Sequence, residues 1–174
     1  MRLATWISTA LLLLSVAFAA SLPASGSSEP PALEVVDRYG PSLVAYAVVE
    51  RDDGTYRRML VAPEVIRAIK SGAPLPDGTH ILMETYYSPG QVSTVFHSRK
   101  VGGQWHYGSF GANSPNLDVG PRASCLSCHA QAAERDFTFT LPSLQAAAAG
   151  LGASRLSCDR GGRRPCAAEA YQVP

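Results

Sequence analysis

Short β-branched and aromatic runs, interrupted by Gly, Pro and Asp, dominate the chain between residues 43 and 110. Leu43 to Glu50 stops at Asp52-Asp53-Gly54 and Tyr56 to Val61 resumes the pattern, which predicts a hairpin. Three further strands are expected over Thr79 to Tyr86, Val92 to Val101 and Gln104 to Phe110, separated by Ser88-Pro89-Gly90 and Gly102-Gly103. Helical spacing is confined to three places. Leu33, Val36 and Tyr39 follow Pro31 and stop at Gly40-Pro41. Val65, Ile66 and Ile69 share a face after Pro63-Glu64, with Lys70 near the carboxyl end and Ser71-Gly72 as the stop. The third is an Ala-rich stretch from Leu144 to Ala149. Gly111 to Arg122 has no periodicity and reads as a loop. The expected fold is α+β: mainly an antiparallel β-sheet with one or two packed helices, in a single domain.

The chain ends follow different rules. Arg2, the apolar run from Ala10 to Ala19 and the small-residue site Ala17-Phe18-Ala19 predict a secretory signal over residues 1–19, hence a periplasmic or secreted protein. Residues 20–31 are rich in Ser, Pro and small side chains and predict a flexible leader. The domain is expected over residues 32–150, with a tail over 151–174. Removing the signal leaves 155 residues, enough for one ordinary core. With 46% apolar and 17% charged residues, collagenous, coiled-coil and wholly disordered readings drop out. Lys plus Arg fall to 14 with the loss of Arg2, against 14 Asp plus Glu, a balance that argues against nucleic acid as a partner. Beyond the signal, apolar runs such as Leu43 to Val49 are far short of the roughly 20 residues of a membrane helix, so no membrane span is expected after signal removal.

Four cysteines reaching an oxidising compartment each need an assignment. Cys125-Leu126-Ser127-Cys128-His129 is the C-x-x-C-H pattern of c-type haem attachment. Two thiols one turn apart can each add to a haem vinyl group, and the adjacent His129 then offers an imidazole to the iron as proximal ligand. A thioredoxin-like pair would accompany a βαβ pattern, and a zinc site would want a second ligand pair at defined spacing; neither is present. One covalent haem c is the expected cofactor. Cys158 and Cys166 flank a Gly- and Arg-rich loop and are expected to form a local disulfide.

Asp77-Gly78-Thr79 leading into a strand, Trp105-His106-Tyr107 in a later strand, and the C-x-x-C-H followed by Ala133, Asp136 and Phe139-Thr140 resemble the cytochrome P460 and cytochrome c′-β family, over about Leu43 to Leu144. The resemblance implies a mainly antiparallel β fold, a homodimer, and one haem c with a vacant or weakly occupied distal side. It implies one of two activities. Cytochromes P460 oxidise hydroxylamine and carry a lysine joined to the haem edge; the c′-β relatives lack that link and bind nitric oxide or carbon monoxide. Aligned on Asp77-Gly78-Thr79, the family's cross-linking lysine falls at Met83. The expected function is therefore an exported cytochrome that binds a small gas or passes electrons to a redox protein partner. The alternative is a hydroxylamine-oxidising enzyme acting on a small nitrogen compound.

Candidate pocket residues follow from alternation, which puts Ile81, Met83 and Thr85 on one face and His80, Leu82 and Glu84 on the other. Met83 could pack on the haem or offer its thioether to iron. On the next strand, Phe96 lies on one face and Val95 with His97 on the other, so either an apolar cap or an imidazole roofs the distal side. Trp105 and Tyr107 read as core aromatics, and Lys70 and Lys100 as solvated surface charges.

Overall fold

The computed structural model describes residues 33–69 and 73–173. Seven strands form one sheet: β1 (Glu34–Val36), β2 (Leu43–Arg51), β3 (Tyr56–Val61), β4 (His80–Ser88), β5 (Gln91–Val101), β6 (Gln104–Gly111) and β7 (Ser154–Cys158). β1 to β6 lie in chain order, each antiparallel to the next, while β7 pairs parallel with β2. Among the described residues three short α-helices accompany the sheet: α1 (Pro63–Ala68), α2 (Ala123–His129) and α3 (Leu141–Ala148). The architecture is α+β, as the hydrophobic pattern predicts.

Local chemistry explains the hairpins. The β2–β3 turn closes on Asp53, whose Oδ1 accepts from Thr55 N and Oγ1 at 3.0 and 2.6 Å. The β5–β6 turn has φ +57° at Gly102 and +77° at Gly103, the two positive values that a tight two-residue hairpin requires. Pro63 sits in the first turn of α1, which buries Ile66 and packs Val65 and Ile69 on the core. Residues 70–72, where Lys70 and the expected helix stop fall, lie outside the described residues, as do the signal and leader. α3 begins at Leu141, three residues before the expected Ala-rich stretch.

The helix expected from Leu33 to Tyr39 is not formed. Glu34–Val36 is a strand paired with Leu43–Ala45. β2 would otherwise present unpaired amides and carbonyls there, and satisfying them outweighs a helical pattern too short to nucleate by itself. β7 covers the rest of that edge, from Ala47 to Arg51. The tail is thus built into the sheet rather than appended to it.

The sheet separates two buried clusters. One face packs Val44, Tyr46, Met59, Val61, Trp105 and Tyr107 with Leu144 of α3 and Tyr171 of the tail. The other gathers Val36, Tyr39, Leu60, Leu82, Val95 and Phe110. A register shift between Ala45 and Ala47 accompanies the complete burial of Tyr46, whose hydroxyl meets Thr140 Oγ1 at 2.7 Å and ties β2 to the start of α3. Among the described residues no helix is long and apolar enough to cross a membrane.

Candidate functional site

α2 carries the C-x-x-C-H motif and lies over the first of these faces. Its approach is set by β6: Tyr107 and Gly120 exchange backbone hydrogen bonds, and Arg122 Nε donates to Tyr107 O at 3.1 Å. Cys125 and Cys128 are free, half-buried thiols one helical turn apart, and burial raises the pKa of Cys128. His129 Nδ1 lies 2.7 Å from the Phe137 carbonyl oxygen. A carbonyl only accepts, so Nδ1 carries the proton and Nε2 keeps its lone pair. Burial also lowers the His129 pKa, which favours the neutral, ligating form.

The chain then reverses through Asp136 and Phe137, at φ +51° and +56°. Two consecutive non-glycine residues in the left-handed region cost about 1–3 kcal/mol each. Bonds from Phe137 N to Ala132 O at 2.8 Å and from Thr138 N to Arg135 O at 3.0 Å hold the turn closed.

Between α2 and the sheet lies a cavity of about 350 Å³. Its sheet wall is formed by Met59, Ile81, Met83, Thr85 and Phe96, with Tyr107 beside the motif. Met83 pairs with Met59 on β3 and Phe96 on β5, and cross-strand partners project to the same face. Phe96 therefore shares the face of Met83. His97 also borders the cavity, but its ring belongs to the other face, where it meets His80 at 2.9 Å and packs near Phe110. Arg99 Nη2 donates to His80 Nδ1 at 3.0 Å, so His80 donates from Nε2 to His97 Nδ1. That network engages His97 Nδ1 and holds the ring towards the other face, while the residue still borders the cavity; the register decides its face, and single-strand alternation could not.

Lys100 is the second correction. It is 6% exposed, not solvated, and its Nζ meets Asp136 Oδ2 at 2.7 Å and Leu75 O at 3.0 Å. Asp136 arrives 36 residues later in the chain, too far for any periodicity to signal. Trp105 and Tyr107 are core aromatics as expected, and Trp105 Nε1 also reaches Asp136 Oδ1 at 3.4 Å. Glu84 turns away from Met83, as alternation predicts, and is fully buried among Tyr39, Arg58 and Tyr86.

Sequence reasoning missed several cavity residues, among them Arg57, Arg163, Pro165 and Tyr171. Arg57 was legible, since it alternates with Met59 on β3. The other three come from the tail, and only tertiary structure brings them here. Arg57 Nη2 donates to Gly162 O at 2.9 Å, while buried Arg51 donates to Gly161 O and Arg164 O at 3.1 and 2.7 Å. The Cys158–Cys166 disulfide closes this loop, and Cys166 N donates to the Tyr171 hydroxyl at 3.2 Å. Tyr171 packs on Phe139, which packs on His129.

This donor set fits a covalently held haem. Two free thiols, an imidazole with one nitrogen engaged and one available, and a mostly apolar wall border one cavity. The buried Tyr107 hydroxyl has no partner among the described residues, and burial pushes its pKa up to about 12. Among the described residues no group of three or more His, Cys, Asp or Glu side chains gathers around a metal-sized space.

Residues 93–140 match the family model described as Cytochrome P460. The matched segment runs from β5 through β6 and the C-x-x-C-H motif to Thr140. It leaves out Asp77-Gly78-Thr79 and Met83, on which the lysine alignment depends. No curated protein matches the chain.

Proposed function

Taking the chain as a P460-like cytochrome, we propose that it holds one haem c through Cys125 and Cys128, with His129 as proximal ligand, and receives a small neutral diatomic such as nitric oxide or carbon monoxide on the opposite side. When bound, the haem supplies an iron that takes such a ligand or passes single electrons. The observation that carries this reading is the apolar wall of Ile81, Met83 and Phe96 on the cavity that His129 borders. A neutral diatomic loses little on leaving water, so these side chains admit it while excluding solvent. Arg57 and Arg163 line the cavity and would offer cationic donors to the carboxylates of the haem. His129 is held in its ligating tautomer by the Phe137 carbonyl.

Met83 favours gas binding over hydroxylamine oxidation, because a thioether has no nitrogen for the cross-link that the family resemblance implies for the enzyme. The reading includes export through residues 1–19 and assembly of two copies. A redox protein is the partner if the iron passes electrons instead.

The test is spectroscopy on protein matured with haem-attachment machinery. Denaturing mass spectrometry gives a chain heavier by one haem, and the ferrous form is five-coordinate, high-spin and takes up carbon monoxide. A low-spin, six-coordinate ferrous spectrum overturns gas binding in favour of electron transfer; its loss in Met83→Ala would identify the thioether as the sixth ligand. Hydroxylamine turnover with an electron acceptor overturns it in favour of the enzyme. Loss of all haem into acidified butanone overturns covalent attachment.

A further inference from the structure

We infer that the partly buried Lys100–Asp136 ion pair is a positioning device for the proximal imidazole, acting through the backbone of the turn that follows the C-x-x-C-H motif. The inference rests on the reading of His129 as iron ligand.

Three observations carry it. The acceptor for His129 Nδ1 is the carbonyl of Phe137, at 2.7 Å, so the direction of one peptide group sets the length and linearity of the bond that orients the ring. That peptide, between Phe137 and Thr138, directly follows two successive left-handed, non-glycine residues, a conformation that persists only where surrounding contacts over-determine it. Backbone bonds from Phe137 N and Thr138 N close the turn, and its side-chain contacts to the rest of the molecule are concentrated on Asp136. Its Oδ2 accepts from Lys100 Nζ at 2.7 Å and from Leu75 N at 2.8 Å, and its Oδ1 faces Trp105 Nε1 at 3.4 Å.

Lys100 is itself locked to the sheet. Its backbone exchanges hydrogen bonds with Gly78 and Thr79, its Nζ donates a second bond to Leu75 O, and its ammonium lies 6.0 Å from the centre of the Trp105 ring. A rigid strand therefore grips the side chain of the residue immediately before the acceptor carbonyl. A buried pair of this kind is poor evidence of stabilisation by itself, because desolvation offsets its attraction. Its directionality suits positioning: a hydrophobic replacement could fill the space but could not aim the turn. A stronger Nδ1–H···O bond makes the imidazole a better electron donor, which favours the oxidised iron.

The experiment compares Asp136→Asn, Lys100→Met, their double variant and Lys100→Arg in the haem-loaded full chain, with Glu84→Gln as a control. Glu84 is an ion-paired carboxylate on the far face of the sheet, more deeply buried than Asp136. The readouts are reduction potential and the ferrous iron–imidazole stretching band. Asp136→Asn and Lys100→Met are expected to raise the potential and lower the band frequency, with covalent haem content unchanged. The double variant shifts no further than the larger single effect, because both changes release the same turn. Lys100→Arg recovers most of the parent values. Glu84→Gln lowers thermal stability and moves neither readout. Parent-like potential and band in both single variants overturn the proposal, as does a shift in Glu84→Gln of equal size. Parent protein with no iron–imidazole band overturns the ligand assignment itself, and the positioning role falls with it.

Discussion

The two faces of the sheet bury polar groups in opposite ways. On the face away from the haem motif, Glu84 is 0% exposed and takes hydrogen bonds from Tyr39 at 2.5 Å, Arg58 at 2.7 Å and Tyr86 at 2.8 Å. Arg99, His80 and His97 form a second chain there, with one direction of donation, and His97 Nε2 has no partner among the described residues. On the motif face, the Cys125 and Cys128 thiols are free, the Tyr107 hydroxyl is unpartnered among the described residues, and the available nitrogen of His129 borders an apolar cavity. Buried polar groups that complete one another hold a fold together; those left incomplete around a cavity mark where a ligand belongs. The Tyr107 hydroxyl adds to the three motif side chains, so burial and the C-x-x-C-H motif mark the same cavity.

Mutations should separate the faces. The largest effect is expected from Glu84→Leu, which leaves Arg58 and two tyrosine hydroxyls facing an apolar side chain. Removing one partner of such a buried pair costs about 3–5 kcal/mol, measurable by denaturant unfolding, while the haem absorption spectrum stays that of the parent. A spectral change of the size caused by altering the motif would show that the faces are not independent.

The disulfide bears on the other side of the comparison. Cys158→Ser with Cys166→Ser opens a nine-residue loop, with a loss of up to about 2.6 kcal/mol on the chain-entropy estimate. Because Arg163, Pro165 and Tyr171 line the cavity, the same change is expected to alter carbon monoxide association as well as stability. Unchanged association kinetics would return the tail to a purely structural role.

The smallest effect concerns pH. Burial, followed by the charge of Arg99, lowers the His80 pKa to about 4. The unfolded chain takes up this proton first as pH falls, so the contribution of neutral His80 is complete above about 6.5 and is lost progressively towards about 4. A stability loss of about 1–2 kcal/mol is expected over that window for a partly screened ring, and His80→Gln should flatten it. Glu84 loses its contribution at lower pH: the hydrogen bonds and charge of Arg58 and the two tyrosine hydroxyls outweigh burial and hold its carboxyl below the ordinary range. An unchanged slope in His80→Gln would transfer the effect to other groups.

Much was legible from residues close together in the chain. The strands from β2 to β6 follow from local alternation and turn chemistry, and the five contiguous residues from Cys125 to His129 carry the pattern on which the haem proposal rests. The face shared by Ile81, Met83 and Thr85 follows from the period of two within one strand. What failed, or stayed open, depended on partners far away. Leu33 to Tyr39 reads as a helix until the open edge of β2 is there to be paired. Phe96 and His97 are interchangeable until the β4–β5 register sets their faces, since a slip of one residue exchanges them. Lys100 reads as surface until Asp136 reaches it, and the Gly- and Arg-rich tail reads as an appendage until β7 enters the sheet and carries Arg163 and Tyr171 to the cavity. Local geometry is written in spacings of two to four residues; which group meets a buried charge or closes a cavity is decided by packing across the whole chain.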